Sequence, residues 1–311
     1  MGRFLKKTLF AVLLLGAIAT ALDALLSLRS GGKQFKPHAD FNIINTGRVR
    51  AQILVIGDSR ARYGIDPRIL AAALGKRCYN LGMNGYPITE QLAKLRYSIH
   101  YNGVPELVVA CMDRGCWQRL HLDTIFQYEQ FLDDIRDPFV LDMVKDKVGF
   151  RPVDVLPWAR FAGFPGYVAS IVMDDTLSNA HDGFLADEQV MPHRALRITV
   201  PPYRHDTANF GSYLRAIREH RARFWPHARI VYVEMPFFKR DSNVVMPHLI
   251  GQLDPAYERA FTFDLSLTDD TALFLDRTHL NGAGAQRFTR MLADSLAATG
   301  YGSPQRTKAA P

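Results

Sequence analysis

Apolar residues in this chain fall in short unbroken runs, with little of the alternation typical of half-exposed strands. A continuous run of this kind indicates a strand whose two faces are both buried, as in a parallel sheet covered by helices. The runs lie at 52–56, 77–81, 107–112, 229–233 and 261–267. They predict five strands of one buried parallel sheet.

Helical patterns fill most of the segments between these runs. Their ends carry ordinary start and stop residues, such as Gly75 after an Ala-rich stretch and Asn281 as a cap before the last helix. The predicted helices begin at Asp66-Pro67, at Thr89, at 206 and at 282. Strands alternating with helices predict a single α/β domain over residues 51–299, with a three-layer, flavodoxin-like parallel sheet.

Residues 117–205 do not fit this alternation, because the segment is too long for an ordinary crossover. It carries several aromatic, Pro and Gly residues. We interpret it as a mostly helical insertion. Two roles are open: it walls a substrate groove above the strand ends, or it is an elaborated crossover that only adds core.

The N-terminus predicts a membrane segment. Arg3, Lys6 and Lys7 precede an apolar stretch that continues to about Leu28. Positive charge before such a stretch keeps that end in the cytoplasm and sends the rest of the chain outward. The domain is therefore expected to be extracytoplasmic, in the periplasm, and nucleic acid is excluded as a partner.

Two fates of residues 1–29 are open. Ala19-Thr20-Ala21 has the small-x-small form of a signal-peptidase site, and cleavage after Ala21 would release a secreted or periplasmic protein. Retained, the span is long enough to anchor the protein, with Asp23 near the outer interface. Residues 30–50 are interpreted as a polar linker, and residues 300–311 as a disordered tail.

Composition narrows the picture only a little. Of 311 residues, 48% are hydrophobic and 22% charged, which is typical of a globular protein with a packed core. The net charge of +7 is spread out, so scattered solvated side chains explain it better than an anionic partner does. Three cysteines make a poor disulfide framework: Cys111 and Cys116 either form a bridge, or all three, with Cys78, are small buried residues. No zinc-like ligand spacing is present, and no metal or cofactor is expected.

The candidate chemistry lies at two distant places. Gly57-Asp58-Ser59 follows the first predicted strand, and Asp276 precedes His279 by three residues just ahead of the last helix. A serine hydroxyl is a weak nucleophile until a base takes its proton, and the base works best when a third group fixes its tautomer. Each residue also has a plain structural alternative, as a helix cap, a turn residue or a helix-end contact. Their joint occurrence favours a catalytic triad.

Together with Asn80-Leu81-Gly82-Met83-Asn84-Gly85, these motifs resemble the SGNH (GDSL-like) hydrolase superfamily. The sequence is most similar to the membrane-anchored, extracytoplasmic branch that modifies envelope polymers, including DltD-like and alginate-acetylation proteins. The resemblance covers residues 52–296, with the insertion unmatched.

The resemblance implies a role for each matching residue. Ser59 is the expected nucleophile, His279 the general base and Asp276 the residue that orients His279. The oxyanion hole is expected from the N–H of Ser59 or Arg60 and the N–H of Gly82.

The family's third block usually ends in Gly-x-Asn, whose Asn donates to the oxyanion. The corresponding stretch here, Cys111-Met112-Asp113-Arg114-Gly115, has no Asn. Asn84 or Arg114 then supplies the third donor, or the hole has only two.

The function that the resemblance implies is an extracytoplasmic serine esterase or O-acyltransferase. It would act on acyl groups of a cell-envelope glycan or similar polymer, through an acyl-serine. A multi-span membrane acyltransferase is the expected protein partner. Two alternatives remain: a non-catalytic assembly or carbohydrate-binding protein with the same fold, and a lipid esterase or thioesterase at the membrane surface.

Overall fold

The computed structural model describes residues 2–33, 35, 41–112, 128–146, 150–157, 159–176, 180–192, 207–238, 249–261, 263 and 267–301. The chain divides into two compact units. The first consists of residues 1–48 and 123–178, and the second of residues 49–122 and 179–311.

The second unit contains a five-stranded parallel sheet and a two-stranded hairpin. In chain order the strands are β1 (Ile53–Ile56), β2 (Cys78–Asn80), β3 (Leu107–Met112), β4 (Ala180–His181), β5 (Phe184–Leu185), β6 (Arg229–Glu234) and β7 (Glu258–Phe261). The sheet order is β2-β1-β3-β6-β7, and β4 pairs antiparallel with β5. This is the flavodoxin-like order, so the predicted fold class is confirmed.

Nine α-helices lie in the described parts of the chain. They are α1 (Gly2–Ser30), α2 (Phe41–Ile44), α3 (Ser59–Gly64), α4 (Pro67–Leu74), α5 (Ile88–Asn102), α6 (Pro138–Val144), α7 (Pro165–Met173), α8 (Thr207–Phe224) and α9 (Gly282–Ala298). Predicted end residues act as caps: the Asp66 carboxylate accepts from the Arg68 N–H, and Asn281 accepts from Gly284 N–H. Gly75 ends α4 in the left-handed conformation, at φ 65°.

A buried apolar cluster joins one face of the sheet to α4 and α9. Ile53 and Val55 of β1 belong to it, as do Leu70 of α4 and Phe288 and Leu292 of α9. Burial of this kind stabilises a fold by about 25 cal/mol per Å² of apolar surface. The cluster therefore holds α4 and α9 against the sheet, beside the end of β1 and the loop that precedes α9.

The last strand begins three residues before the predicted run 261–267, of which residues 262 and 264–266 lie outside the described residues. The structure places it at Glu258–Phe261, and its pairing with β6 runs from Ile230↔Glu258 to Val233↔Phe261. Glu258 is buried, and it accepts from Arg218 at 2.6 Å and from the Tyr232 hydroxyl at 3.1 Å. The apolar pattern of β7 was obscured because the strand carries a charged residue, Glu258, at a buried position. The arginine that pairs with it, Arg218, lies 40 positions away in sequence.

The predicted helical insertion also contains β structure. Within 117–205, residues 180–185 form the β4–β5 hairpin. Its turn has left-handed Asp182 (φ 49°) and Gly183 (φ 83°), the Asp-Gly pair that tight hairpins favour. The Asp182 carbonyl accepts from the Asn80 N–H at 2.8 Å, which places the hairpin beside the end of β2.

The first unit contains α1, α2, α6 and α7. Within the described residues, α1 is the one helix long and apolar enough to cross a membrane. The predicted linker is partly folded, because Phe41 and Ile44 of α2 are buried. The buried Asn42 side chain donates to the Tyr167 hydroxyl at 2.8 Å.

Cys78 and Cys111 are buried. Burial raises the pKa of Cys78 to about 12 and raises the pKa of Cys111 as well. Small buried cysteines, one of the two predicted alternatives, therefore describe both residues. Cys116 lies outside the described residues.

Candidate active site

Ser59 stands at the carboxyl end of β1, at the point where the chain order reverses. Strand β1 lies between β2 and β3. The chain passes from β1 to β2 on one side and then crosses over to β3 on the other side, so the strand order reverses at β1. This is where open α/β sheets place their ligand sites. The position of Ser59 therefore agrees with a site at the sheet edge.

A tight turn delivers Ser59 from the strand to the first residue of α3. A Cβ on Gly57 would lie 2.5 Å from Ala61 Cβ and 2.8 Å from Cys111 Cβ, so only glycine allows this approach. The Asp58 carboxylate accepts from the Arg60 N–H at 3.0 Å and caps the helix. In Gly-Asp-Ser, the glycine thus allows the turn after the strand, the aspartate caps the helix and the serine presents its hydroxyl.

The loop before α9 presents Asp276 and His279 together. One carboxylate oxygen, Oδ1 of Asp276, accepts from the Thr278 N–H at 2.7 Å and the His279 N–H at 2.9 Å. An isolated bridge between Phe274 and Leu280 closes the base of the loop. Because Asp276 and His279 are three residues apart, the backbone folds back so that its N–H groups reach Oδ1 of Asp276. Oδ2 then faces the imidazole of His279.

The structure brings the three predicted residues into one hydrogen-bonded series. Ser59 Oγ lies 2.8 Å from His279 Nε2. His279 Nδ1 lies 2.8 Å from Asp276 Oδ2. Both lengths are within the range for a nucleophile, its base and the residue that orients the base.

Electrostatics assign the proton positions. Partial burial acts to raise the pKa of Asp276, but hydrogen bonds from His279 and Thr278 outweigh it and hold the pKa well below its usual range. An ionised carboxylate accepts from Nδ1–H of His279. In the neutral imidazole this leaves Nε2 as the acceptor that faces the Ser59 hydroxyl.

Tyr63 also contacts the imidazole, which the sequence analysis missed. Its ring meets that of His279 edge to face, with centroids 5.6 Å apart and planes at 68°. Tyr63 lies four residues after Ser59, so both side chains project from one side of α3. That spacing was the available sequence signal.

The structure argues against two of the predicted oxyanion donors and does not test the others. The Gly82 N–H donates to Asn80 Oδ1 at 2.9 Å, and Arg60 N–H is taken by Asp58. This geometry does not support either as an oxyanion donor. The N–H of Ser59 stays a prediction, as does Asn84, which is exposed on the loop after β2. Arg114 lies outside the described residues.

Asn80 is a second residue that the sequence analysis missed. It is fully buried, and its Nδ2 donates to the carbonyls of Ala61 at 2.7 Å and Ile65 at 2.8 Å. With the Gly82 N–H, three of its hydrogen bonds join the helix that carries Ser59 to the loop after β2. A polar residue at the end of an otherwise apolar strand was the signal.

No group of His, Cys, Asp and Glu that could hold a metal ion occurs in the parts of the chain that the structure describes. His181, the last residue of β4, is exposed. Near the site, the Arg60 guanidinium lies 4.3 Å from the centre of the Phe237 ring and 3.6 Å from the Asp58 carboxylate.

No family model matches this chain, and no curated protein matches it. The solved structures to which this chain is similar include the following three, all at low identity. One is of a proposed platelet activating factor from Streptococcus pneumonia, at 16% identity and TM-score 0.42, covering 93% of this chain and 99% of that one. Another is of a carbohydrate esterase family 2 enzyme with a carbohydrate binding domain from Corynascus thermopiles (Myceliophthora fergusii), at 14% identity and TM-score 0.38.

The third is of an acetyl xylan esterase from the rumen bacterium Butyrivibrio proteoclasticus, at 13% identity and TM-score 0.35. The chain covers 66% and 64% of these two esterase chains, with 80% of its own length matched in each case. Identities and scores this low leave the function to be argued from the site itself.

Proposed function

We propose that this protein is an SGNH-type serine esterase or O-acyltransferase that acts on acyl groups of a cell-envelope glycan. The observation that carries the proposal is the series Ser59–His279–Asp276, with two hydrogen bonds of 2.8 Å each. A helix cap and a turn residue do not require this alignment, whereas acyl transfer does.

In the proposed reaction, Ser59 Oγ attacks the carbonyl carbon of an ester while its proton passes to His279 Nε2. The tetrahedral intermediate collapses, the bond between that carbon and the alcohol oxygen breaks, and His279 returns the proton to the leaving alkoxide. An acyl-serine remains. Water or a second hydroxyl then attacks it, with His279 again as the base, which gives hydrolysis in the first case and transfer in the second.

Asp276 does not exchange a proton in this scheme. Its lowered pKa keeps it ionised at neutral pH, so it holds the imidazole tautomer and stabilises the imidazolium that forms. The Ser59 N–H and the Asn84 side chain are the proposed oxyanion donors. A donor of this kind contributes about 3 kcal/mol to transition-state stabilisation.

The proposed setting is the outer side of a membrane. Helix α1 is the observation that supports it, with Lys6 and Lys7 at its start. We propose that α1 is retained as an anchor, so that the site is extracytoplasmic. Soluble acyl thioesters are then out of reach, and a multi-span membrane acyltransferase or an existing ester supplies the acyl group.

Covalent labelling tests the proposal. The full chain in detergent should react with a fluorophosphonate probe, and Ser59→Ala should abolish the reaction. Ser295→Ala is the matched control, since the Ser295 hydroxyl donates to the Met291 carbonyl within α9. Labelling that survives in Ser59→Ala would remove Ser59 as nucleophile. Absence of labelling in the unaltered protein would favour the carbohydrate-binding alternative.

A further inference from the structure

The last two turns of α1 belong to the fold of the first unit. Asp23 is only 5% exposed, and its carboxylate accepts from Arg160 Nε at 2.6 Å and from Arg136 Nη2 at 3.0 Å. Arg160 is itself buried. A buried carboxylate is stable only with partners of this kind, so Asp23 faces folded protein and does not face the hydrocarbon of a bilayer.

The following residues continue the attachment. Ser30 Oγ donates to Asp133 Oδ1 at 2.9 Å. The Arg29 guanidinium donates to the carbonyls of Ile171 at 2.8 Å and Val172 at 3.0 Å. The C-terminal end of α7 is therefore held directly beside the end of α1.

The other side of the same turns is apolar and exposed. Leu25 and Leu28 are 60% and 80% exposed, and Val172 and Met173 at the end of α7 are 57% and 78% exposed. We call these four residues the apolar collar. Single exposed apolar residues are ordinary, but a group of four at the end of an apolar helix indicates a contact surface.

Helix length identifies what covers the collar. At 1.5 Å per residue, the segment 8–22 extends over about 22 Å, which is short of the roughly 30 Å of hydrocarbon in a bilayer. Extended to Leu28 it reaches about 31 Å. The apolar length therefore matches the bilayer only along the side of α1 that carries Leu25 and Leu28, because the opposite side carries Asp23 and Ser30.

We propose that the apolar collar is a membrane-contacting surface that lies at the headgroup level of the bilayer crossed by α1. Since Arg29 ties the end of α7 to α1, Val172 and Met173 enter the lipid at the depth of Leu28. The occupant is lipid of the outer leaflet. This inference rests on the proposal that α1 is retained as an anchor. It places the first unit on the membrane surface.

Depth-dependent quenching tests the inference. The full chain, with Cys116→Ser and Met173→Cys, is labelled with an environment-sensitive fluorophore and placed in phosphatidylcholine–phosphatidylglycerol nanodiscs. Some discs contain lipid with a nitroxide on its headgroup. Asp142→Cys in the same background is the control position, because Asp142 is exposed on α6 and pairs with Lys145. Quenching at position 173 should exceed quenching at 142 several-fold.

The outcomes separate this inference from the anchor proposal. Intact mass is measured on the same sample: a chain that begins at Leu22 would overturn the anchor and the collar together. A full-length chain with equal quenching at both positions would overturn the collar alone. A blue-shifted emission at 173 without quenching would show that a protein, such as a second copy, covers the collar in place of lipid.

Discussion

Ser59 Oγ and His279 Nε2 lie 2.8 Å apart although the two residues are 220 positions apart in the chain. The topology explains the approach. Ser59 follows β1 at the reversal of strand order, and His279 precedes α9, which packs on α3 and α4 over the same sheet face. A strand end and a helix start thus meet at one edge, where each contributes a side chain without any long flexible connection.

The first prediction concerns Asp276. Asp276→Asn should lower kcat on a small acyl ester by about 10⁴-fold with little change in fold, because an amide holds the wrong imidazole tautomer. Steady-state kinetics on p-nitrophenyl acetate measure the loss. Asp270→Asn is the control, since Asp270 only caps a short turn through the Ala272 N–H. Activity near that of the unaltered enzyme would make Asp276 a structural turn residue.

Asp276 also predicts a pH dependence of stability. Its folded-state pKa is lower than the value of about 3.9 expected in the unfolded chain. A lowered pKa contributes stability that is fully present above the unfolded value and is lost as the pH falls toward the folded value. The difference in unfolding free energy between the unaltered protein and Asp276→Asn should therefore shrink as the pH falls below about 4. Urea unfolding across that range measures it, and a constant difference would contradict the assigned charge.

The contact between Tyr63 and His279 predicts a smaller effect. Edge-to-face pairs are worth about 0.5–1.5 kcal/mol, so Tyr63→Ala should lower kcat/KM by up to about tenfold through a less constrained imidazole. Tyr63→Phe keeps the ring and should retain most activity. The diagnostic readout is the pH–rate profile, whose acid limb should move in Tyr63→Ala. If Tyr63→Phe loses as much activity as Tyr63→Ala, the hydroxyl is the important group.

Much of the sheet and its helices was accessible from sequence, for a physical reason. Strand β3 was predicted with its observed bounds because all six of its residues are buried and apolar. The cap at Asn281 was found because a helix start needs an acceptor for its free N–H groups. These are local signals, and the triad followed from placing local motifs at strand and helix ends.

What escaped prediction depends on partners distant in sequence. Glu258 in β7 is paired with Arg218, and Asp23 in α1 with Arg160, which is 137 positions away. In the sequence, a charged residue that is buried against such a partner cannot be distinguished from a charged residue on the surface. The helix α3 was hidden similarly, because Arg60 is buried beside Phe237.

Asn80 offers a test of how the nucleophile's helix is held. Asn80→Ala leaves the carbonyl of Ile65 and the N–H of Gly82 without their buried partner, while the Ala61 carbonyl still accepts from the Ile65 N–H. Each such group costs about 1–3 kcal/mol, so unfolding free energy should fall by several kcal/mol. Chemical denaturation measures the loss. Asn84→Ala on the following loop is the control and should leave stability unchanged. A stable Asn80→Ala variant would show that water replaces these bonds.

The last prediction concerns the ion pair at the end of α1. Asp23→Ala leaves Arg160 charged and buried, and removal of one partner from such a pair costs about 3–5 kcal/mol. Arg136→Ala removes a partner that is 39% exposed and should cost no more than about 1 kcal/mol.

Combining Asp23→Ala with Arg160→Met should destabilise the protein by less than the sum of the two single changes, because no charge is then left unpaired. Limited proteolysis of the full chain in detergent, followed within residues 128–176, reports the stability of the first unit. Additive effects, or a resistant Asp23→Ala variant, would place Asp23 outside the folded unit. The ion pair would then no longer support the position of the first unit beside α1, and the apolar collar would lose part of the evidence for its fixed depth.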